Sequence, residues 1–227
     1  MKGILYGIGV GPGDPELMTL KACRIIRENQ VIAVPGENPK DTVAYKIAVQ
    51  AVPELADKEL LPIYMPMVMD KAEQQRQHEA GAAKIAEYLD KGINVVFLTL
   101  GDVTIYSTFT YLQFILEKQD YTISLVSGIP SFCAAAARTN VPLSIWQEPI
   151  HVIPARQSLD ITLPEDGTVV LMKSGSKMAK VKDMLRSQGR QAVMVMDCGM
   201  PTEQIFNSVD EIPDDAGYYS LIIATTR

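Results

Sequence analysis

Apolar residues occur along this chain in short runs, and the clearest run lies close to its middle. Val95–Leu98 is continuously apolar and partly β-branched, which is typical of a buried strand in a parallel sheet covered on both faces. We predict that this strand ends at Leu100 and that Gly101 then turns the chain sharply. Asp102 is placed to cap the next turn, and the apolar spacing of Thr104–Gln119 predicts a helix. A Gly-Asp pair is also a simple helix cap, so this elbow alone does not establish a ligand site.

The same pattern predicts an alternation of strands and helices along the rest of the chain. Further strands are predicted at Lys2–Gly9, Val31–Val34, Leu60–Ile63, Tyr121–Val126, His151–Ile153, Thr168–Met172, Ala192–Met196 and Tyr218–Ala224. Helices are predicted at Pro15–Glu28, Asp41–Ala51, Lys71–Lys91, Phe132–Arg138 and Lys177–Gln188. This alternation indicates the α/β class. The polar break Glu117–Asp120 predicts two α/β domains, residues 1–119 and 120–227.

The loop after the first strand carries a glycine at every second position, in the run G-I-G-V-G-P-G-D-P. Glycine lets a ligand approach the backbone closely, and Asp14 followed by Pro15 signals a helix start, so we interpret the loop as ligand-facing. The loop fails as a dinucleotide fingerprint, because Pro12 interrupts the glycine spacing and Pro35 follows the second strand where an acidic residue is required. A P-loop is excluded because no Gly-Lys-Ser/Thr follows.

Three further segments have candidate roles. Ser127–Ser131 combines a glycine, a proline early in the next helix and a serine hydroxyl, and is predicted to be a second ligand loop. The methionines of Tyr64–Met69 either line a hydrophobic cleft or fill ordinary core or subunit contacts, and we favour the second. His78 lies among charged and amide side chains and is expected to be solvated. His151 begins a strand without triad or metal partners nearby and is expected to be structural.

Composition narrows the class of protein. With 227 residues and 47% hydrophobic content, the chain is long enough for two domains with buried cores. The net charge of −6 argues against a broad nucleic-acid surface, although a local basic pocket for a polyanion is compatible with it. Cys23, Cys133 and Cys198 are widely separated and indicate neither a disulfide framework nor a metal site. Without a leader or a long apolar run, we expect a soluble, cytoplasmic protein with no membrane segment.

Three sequence blocks together resemble the signature motifs of the tetrapyrrole methylases. The blocks are V-G-P-G-D-P-E-L-M-T-L-K-A at Val10–Ala22, L-T-L-G-D-V-T-I-Y-S-T-F at Leu98–Phe109 and V-S-G-I-P-S-F-C-A-A-A-A-R at Val126–Arg138. Enzymes of this family use S-adenosylmethionine (SAM) to methylate carbons of cobalamin and sirohaem precursors. The resemblance therefore implies two α/β domains with SAM in the cleft between them, a tetrapyrrole substrate and a homodimer. The second and third blocks are most similar to enzymes that methylate the C20 meso carbon of precorrin-2 or its cobalt form.

The resemblance also implies which residues contact SAM. They are Pro12 in the first loop, Leu100, Gly101, Asp102 and Ile105 in the elbow, Pro130 and Ser131 in the second loop, and Met172 and Gly199 in the second domain. Methyl transfer from a sulfonium to an electron-rich carbon needs alignment and exclusion of water rather than a metal or a nucleophilic side chain. Asp102 and Tyr106 are the nearest candidates to accept the proton that the methylated carbon loses, although Asp102 alternatively only accepts hydrogen bonds from SAM.

Two positions depart from the family pattern. Pro35 stands where uroporphyrinogen methylases carry an acidic residue proposed as proton acceptor, and Val103 stands where many relatives have proline after the Gly-Asp elbow. These departures leave the identity of the base open. The same fold also serves methylation of other ring positions, of a modified histidine on a translation factor and of ribosomal RNA, and the acidic balance counts against RNA. A corrinoid-binding protein without enzymatic activity is the alternative from another class.

Overall fold

The computed structural model describes residues 1–66, 70–154, 162–173 and 177–226, so the end of the methionine loop, Met67–Met69, lies outside the described residues. The chain divides into two compact units, Met1–Pro130 and Ser131–Arg227. Each unit contains a five-stranded sheet with helices, as expected for the predicted α/β class. Among the described residues, no helix is long and apolar enough to cross a membrane.

The first unit is a parallel sheet covered by helices. Its strands are β1 (Ile4–Gly9), β2 (Val31–Pro35), β3 (Glu59–Ile63), β4 (Val95–Thr99) and β5 (Thr122–Val126). Its helices are α1 (Leu20–Glu28), α2 (Val43–Ala51), α3 (Lys71–Leu89) and α4 (Phe109–Glu117). The strand order is β3-β2-β4-β1-β5, and every neighbouring pair is parallel. The carboxyl ends of all five strands therefore lie at one edge, where open α/β sheets bind ligands.

The predicted central strand β4 is buried on both faces. Val96 and Leu98 belong to a core with α1 and α2, whereas Val95 and Phe97 belong to a second core with α3 and α4. Because side chains alternate along a strand, a continuous apolar run is what a strand with a core on each side requires. The ring centroids of Phe97 and Phe109 lie 5.4 Å apart, so the two rings pack β4 against α4.

Two predicted helices begin five residues later than the sequence indicated. The helix after the elbow starts at Phe109 rather than Thr104, because Tyr106 has a left-handed φ of 49° and the Ser107 hydroxyl accepts a hydrogen bond from the Phe109 N–H. Asp14 does cap a helical segment, but this is the short 3₁₀ turn Pro15–Leu17. A second cap follows, since the hydroxyl of Thr19 accepts from Ala22 N–H and starts α1.

The expectation for His78 is wrong. His78 is 3% exposed and stacks on the Tyr111 ring of α4, with the ring centroids 4.4 Å apart. It lies on the buried face of α3 that also carries Ala82, Ile85 and Leu89. The polar residues around it in sequence occupy the other face of the helix, so the local run of charge concealed its position.

The second unit has a mixed sheet. Its elements are α5 (Ser131–Thr139), β6 (Ile150–Pro154), β7 (Thr168–Met172), α6 (Met178–Ser187), β8 (Gln191–Met196), β9 (Gln204–Phe206) and β10 (Ser220–Thr225). The order is β6-β7-β10-β8-β9, with β10 antiparallel to both β7 and β8. The short strand β9 was not predicted. The Nε2 atom of His151 lies 3.5 Å from the Asp166 carboxylate, within this unit.

The boundary between the two units differs in position from the one placed after Gln119 by sequence. Strand β5 pairs along β1, with Ile4 opposite Thr122 and Ile8 opposite Val126. It therefore completes the first sheet, and the first unit continues to Pro130.

Candidate active site

Loops from three adjacent strands of the first unit meet at the carboxyl edge of its sheet. The loop after β1 and the elbow after β4 are joined by a two-residue antiparallel bridge: Gly11 N–H donates to Gly101 C=O at 3.2 Å, and Gly101 N–H donates to Gly11 C=O at 2.8 Å. Both glycines have left-handed φ values, 78° and 73°. Only glycine adopts this conformation without strain, so the bridge explains why glycine stands at both positions.

Glycines 9, 101 and 128 pack backbone against backbone. A Cβ atom at Gly9 would lie 2.5 Å from the Gly101 carbonyl oxygen and 2.7 Å from the Gly128 nitrogen. A Cβ atom at Gly128 would lie 2.2 Å from the same oxygen. Backbone atoms cannot move aside as a side chain can, so the three strand ends approach this closely only because side chains are absent. Sequence reasoning singled out these glycines but not their mutual contact.

The Asp102 carboxylate connects the elbow to the third of these loops, residues 127–131 after β5, which the sequence predicted as a second ligand loop. Its Oδ2 accepts a hydrogen bond from Gly128 N–H at 2.9 Å, and its Oδ1 accepts from the N–H of Thr104 at 2.8 Å and from the Thr104 hydroxyl. Asp102 is 7% exposed. The capping role predicted from the sequence is therefore present, and the carboxylate also has a long-range partner that the sequence did not indicate.

The other predicted residues of the elbow differ in exposure. Leu100 and Ile105 are half-buried, and Pro12, across the glycine bridge, is buried. Tyr106 is 47% exposed and is held in its left-handed conformation at the tip of the elbow. Behind the tip, the hydroxyls of Thr99 and Ser107 lie 3.0 Å apart and close the turn.

The third loop is anchored at its start. The Thr19 hydroxyl donates to the Ser127 carbonyl at 3.4 Å, and Gly128 is held by Asp102. Pro130 is the last residue of the first unit and Ser131 the first of the second, where α5 begins, and both are half-buried.

The two other predicted residues of the second unit, Met172 and Gly199, lie at one edge of its sheet. Met172 ends β7 opposite Leu221, and Met196 ends β8 opposite Ser220, so both strands finish beside the start of β10. Gly199 follows in the turn after β8, is exposed, and has a φ of 75°.

Side-chain hydrogen bonds that the sequence did not indicate stabilise the turn after β8. The Thr202 hydroxyl donates to the Asp197 carboxylate at 2.8 Å, and the Gly199 N–H donates to the Glu203 carboxylate at 2.8 Å. Glu203 in turn accepts from Arg138 of α5. The first two contacts are local to the turn, whereas Arg138 is 65 residues away from Glu203 in the sequence, so no local pattern signals the ion pair.

A cavity of 390 Å³ lies beyond β2 and β3, at the same sheet edge of the first unit. It is lined by Gly36, Glu37, Asn38, Asp41, Thr42, Tyr64, Met65 and Pro66. Two carboxylates thus stand in the loop where Pro35 replaced the acidic residue of the uroporphyrinogen enzymes. The described part of the methionine loop, Tyr64–Pro66, contributes to this lining.

Most of the candidate site is electrically neutral. None of the predicted contact residues is basic, and apart from Asp102 the side chains are apolar or hydroxyl-bearing. Among the described residues, no group of three or more His, Cys, Asp or Glu side chains could hold a metal ion. Closely packed glycine loops with neutral side chains around them suit the binding and alignment of an organic ligand.

This chain is similar to known proteins over most of its length. The family model described as Tetrapyrrole (Corrin/Porphyrin) Methylases matches residues 4–213. A cobalt-precorrin-2 C(20)-methyltransferase of Salmonella typhimurium is 30% identical, with 100% of this chain and 98% of that protein covered. A probable cobalt-precorrin-2 C(20)-methyltransferase of Methanocaldococcus jannaschii is 33% identical, with 79% of this chain and 77% of that protein covered.

Solved structures share the fold. The uroporphyrin-III C-methyltransferase of Thermus thermophilus, determined as a complex with S-adenosylhomocysteine, has a TM-score of 0.68 at 19% identity, covering 99% of this chain and 98% of that one. Together with the family match and the full-length relative, this places the three motif blocks in their family context: the chain belongs to the tetrapyrrole methylase family.

Proposed function

We propose that this protein is a SAM-dependent methyltransferase of cobalamin biosynthesis that methylates the C20 meso carbon of precorrin-2 or its cobalt form. The observation that carries the proposal is the similarity to the Salmonella cobalt-precorrin-2 C(20)-methyltransferase over the full length of both chains. The sequence blocks agree with it, because the Y-S-T-F and S-F-C-A-A-A-A-R segments are those that resemble C20 enzymes.

The residues proposed to contact SAM suit it chemically in each unit. The methyl donor carries a positive sulfonium, and none of the proposed contact residues is basic. In the first unit, Leu100 and Ile105 offer half-buried apolar surface and the glycine loops offer backbone hydrogen-bonding groups; in the second unit, half-buried Met172 and Ser131 offer the same two kinds of group. When bound, SAM supplies an electrophilic methyl group. The task left to the protein is to hold donor and acceptor carbon in line and to exclude water.

We assign the two motif residues different roles in the reaction. The carboxylate of Asp102 already accepts three hydrogen bonds, so it acts by holding the elbow and the third loop in register rather than by taking a proton. Tyr106 is exposed at the tip of the same elbow, where its hydroxyl can relay the proton lost from the methylated carbon towards solvent.

The test is the position of the transferred methyl group. The purified protein is incubated with SAM carrying a carbon-13 methyl group and with either metal-free precorrin-2 or cobalt-factor II, and the label is located by NMR. We expect the label at C20 with one of the two substrates, which also identifies the metal state. A label on a pyrrole-ring carbon would indicate another enzyme of the family. A persistent absorbance change on mixing with the tetrapyrrole, without transfer from SAM, would indicate a corrinoid-binding protein.

We also propose a cytoplasmic homodimer. All three cysteines are free thiols, as is usual in a reducing compartment, and Leu20 and Trp146, at 90% and 97% exposed, are large apolar side chains available to a subunit contact. Light scattering coupled to gel filtration should give twice the chain mass of 25.0 kDa. A mass equal to that of one chain at working concentration would contradict the dimer.

A further inference from the structure

One carboxylate supports the turn that carries Gly199. Glu203 Oε2 accepts the Gly199 N–H at 2.8 Å, and Glu203 Oε1 accepts Arg138 Nε–H at 2.6 Å. The Glu203 side chain is only 13% exposed, whereas that of Arg138 is 61% exposed. The glutamate is therefore enclosed between the turn and helix α5, and the arginine covers it from the solvent side.

The electrostatics show that the ionised form of Glu203 is the one this site stabilises. Burial by itself would raise the pKa of Glu203, but the Gly199 N–H and the Arg138 guanidinium together outweigh it and lower the pKa below the usual glutamate value. The same ion pair raises the pKa of Arg138. Because the folded-state pKa of Glu203 is lowered, the ionised carboxylate stabilises the folded protein. This stabilisation is complete above the ordinary pKa of 4.5 and is lost as the pH falls through the lowered pKa.

The turn needs such support because its backbone is unusual. Asp197 and Gly199 both have left-handed φ values, 50° and 75°, within three residues of each other. The Met200 N–H bonds back to the Asp197 carbonyl at 2.8 Å, which closes the turn at one end. Glu203 closes it at the other, and it is the charged group that holds the Gly199 amide itself.

We propose that Glu203, oriented by Arg138, is a positioning residue that presents Gly199 to SAM. This inference rests on the proposed function and on Gly199 being a contact to the methyl donor. Helix α5 begins at Ser131, a second proposed contact, and Arg138 lies in its last turn. The Arg138–Glu203 pair therefore couples two SAM-binding segments of the second unit, although neither side chain has to touch SAM.

The test compares binding with turnover. In Glu203→Ala, the Gly199 amide loses its acceptor, and we expect the dissociation constant of S-adenosylhomocysteine and the KM for SAM to rise about tenfold. The kcat at saturating SAM and the KM for the tetrapyrrole should stay within about twofold, because the reacting groups are not altered. Glu203→Gln keeps an acceptor oxygen in the same shape and should recover most of the affinity. Hydrogen exchange should show a faster Gly199 amide in the alanine variant only.

A matched control comes from the same unit. Arg186 and Asp210 form an ion pair of the same 2.6 Å length that is exposed on both sides, so Asp210→Ala removes a comparable pair and should leave SAM binding unchanged. If the wild-type protein does not bind S-adenosylhomocysteine, the proposed function fails and this inference with it. If wild type binds and Glu203→Ala binds equally well, the inference alone is overturned. If the alanine variant melts far below the control, Arg138→Gln decides the question: it keeps Glu203 but removes the guanidinium that orients it, so the inference predicts weaker S-adenosylhomocysteine binding, and wild-type binding would overturn the inference.

Discussion

At the scale of single residues, the motif carboxylate Asp102 is the most instructive. In sequence, an acidic residue beside a glycine elbow is a candidate base. In the structure it is buried and accepts hydrogen bonds from two loops, so its lone pairs are largely committed to protein donors. A carboxylate in this state holds the loops around it in place.

Substitutions at Asp102 separate the two roles. Asp102→Ala leaves the N–H groups of Gly128 and Thr104 without an acceptor, so we expect a loss of about 3 kcal/mol in unfolding free energy and a sharp loss of SAM affinity. Asp102→Asn keeps one acceptor oxygen and should lie between alanine and wild type in both properties. Urea denaturation and calorimetry with S-adenosylhomocysteine measure these effects. If both variants bound normally and lost kcat equally, Asp102 would be the proton acceptor instead.

The glycine packing is tested by adding one methyl group. In Gly128→Ala the Cβ would lie 2.2 Å from the Gly101 carbonyl oxygen, a backbone atom, so we expect destabilisation by about 3 kcal/mol in urea denaturation. Gly217→Ala is the matched control, because its Cβ would meet nothing nearer than the Met196 methyl at 4.0 Å, and its effect should stay within about 0.5 kcal/mol. Equal stability of the two variants would show that the three loops can separate without cost.

At the scale of elements, the contact between α3 and α4 includes a buried histidine. His78 stacks on Tyr111, and burial lowers the pKa of the imidazole below the ordinary 6.5. The unfolded chain therefore takes up a proton at a higher pH than the folded chain. The folded protein therefore has its full stability above the ordinary histidine pKa of 6.5, where the ring is neutral in both states. The stability falls as the pH drops from 6.5 towards the lowered pKa of His78 in the folded chain.

This sign leads to a prediction for pH-dependent unfolding. Between about pH 7.5 and about pH 5, the unfolding free energy of the wild-type protein should fall more steeply than that of His78→Phe, which keeps an aromatic ring against Tyr111 but cannot titrate. Urea denaturation at several pH values gives both slopes. All other titrating groups are common to the two proteins, so the difference between the slopes isolates His78. Parallel slopes would mean that the imidazole is not desolvated in the folded state.

Elements with a strong local pattern were predictable, and contacts between elements were not. The run at β4 predicted a buried strand because both of its faces are apolar. The helix after the elbow was placed too early, because the left-handed Tyr106 has no local sequence signature. The glycine loops were recognised singly, but the contact of Asp102 with Gly128 depends on the strand order β4-β1-β5, which the sequence does not specify. The pairing of Glu203 with Arg138 likewise joins residues 65 positions apart, so no local pattern signals it.

At the scale of the whole molecule, the position of the boundary between the two units depends on which sheet contains β5. This strand comes after the polar break at Glu117–Asp120, which made residue 119 a reasonable end for the first domain. Backbone pairing outweighs the local composition, because β5 runs along β1 over its whole length and brings Val126, 1% exposed, into the first core. The third loop therefore follows a strand of the first sheet, whereas α5 belongs to the second unit.

Fragments of the chain test this division. A fragment of residues 1–130 keeps β5 and the Asp102–Gly128 hydrogen bond, and it should unfold cooperatively in urea when followed by circular dichroism. A fragment of residues 1–119 leaves β1 as an open, apolar sheet edge, so we expect lower stability and concentration-dependent aggregation. The complementary fragments supply the control: residues 131–227 and 120–227 should show the same strand and helix content, because residues 120–130 have no place in the second sheet. If the 1–119 fragment were as stable and monomeric as the longer one, β5 would not be part of the first unit, and the boundary would belong at the polar break.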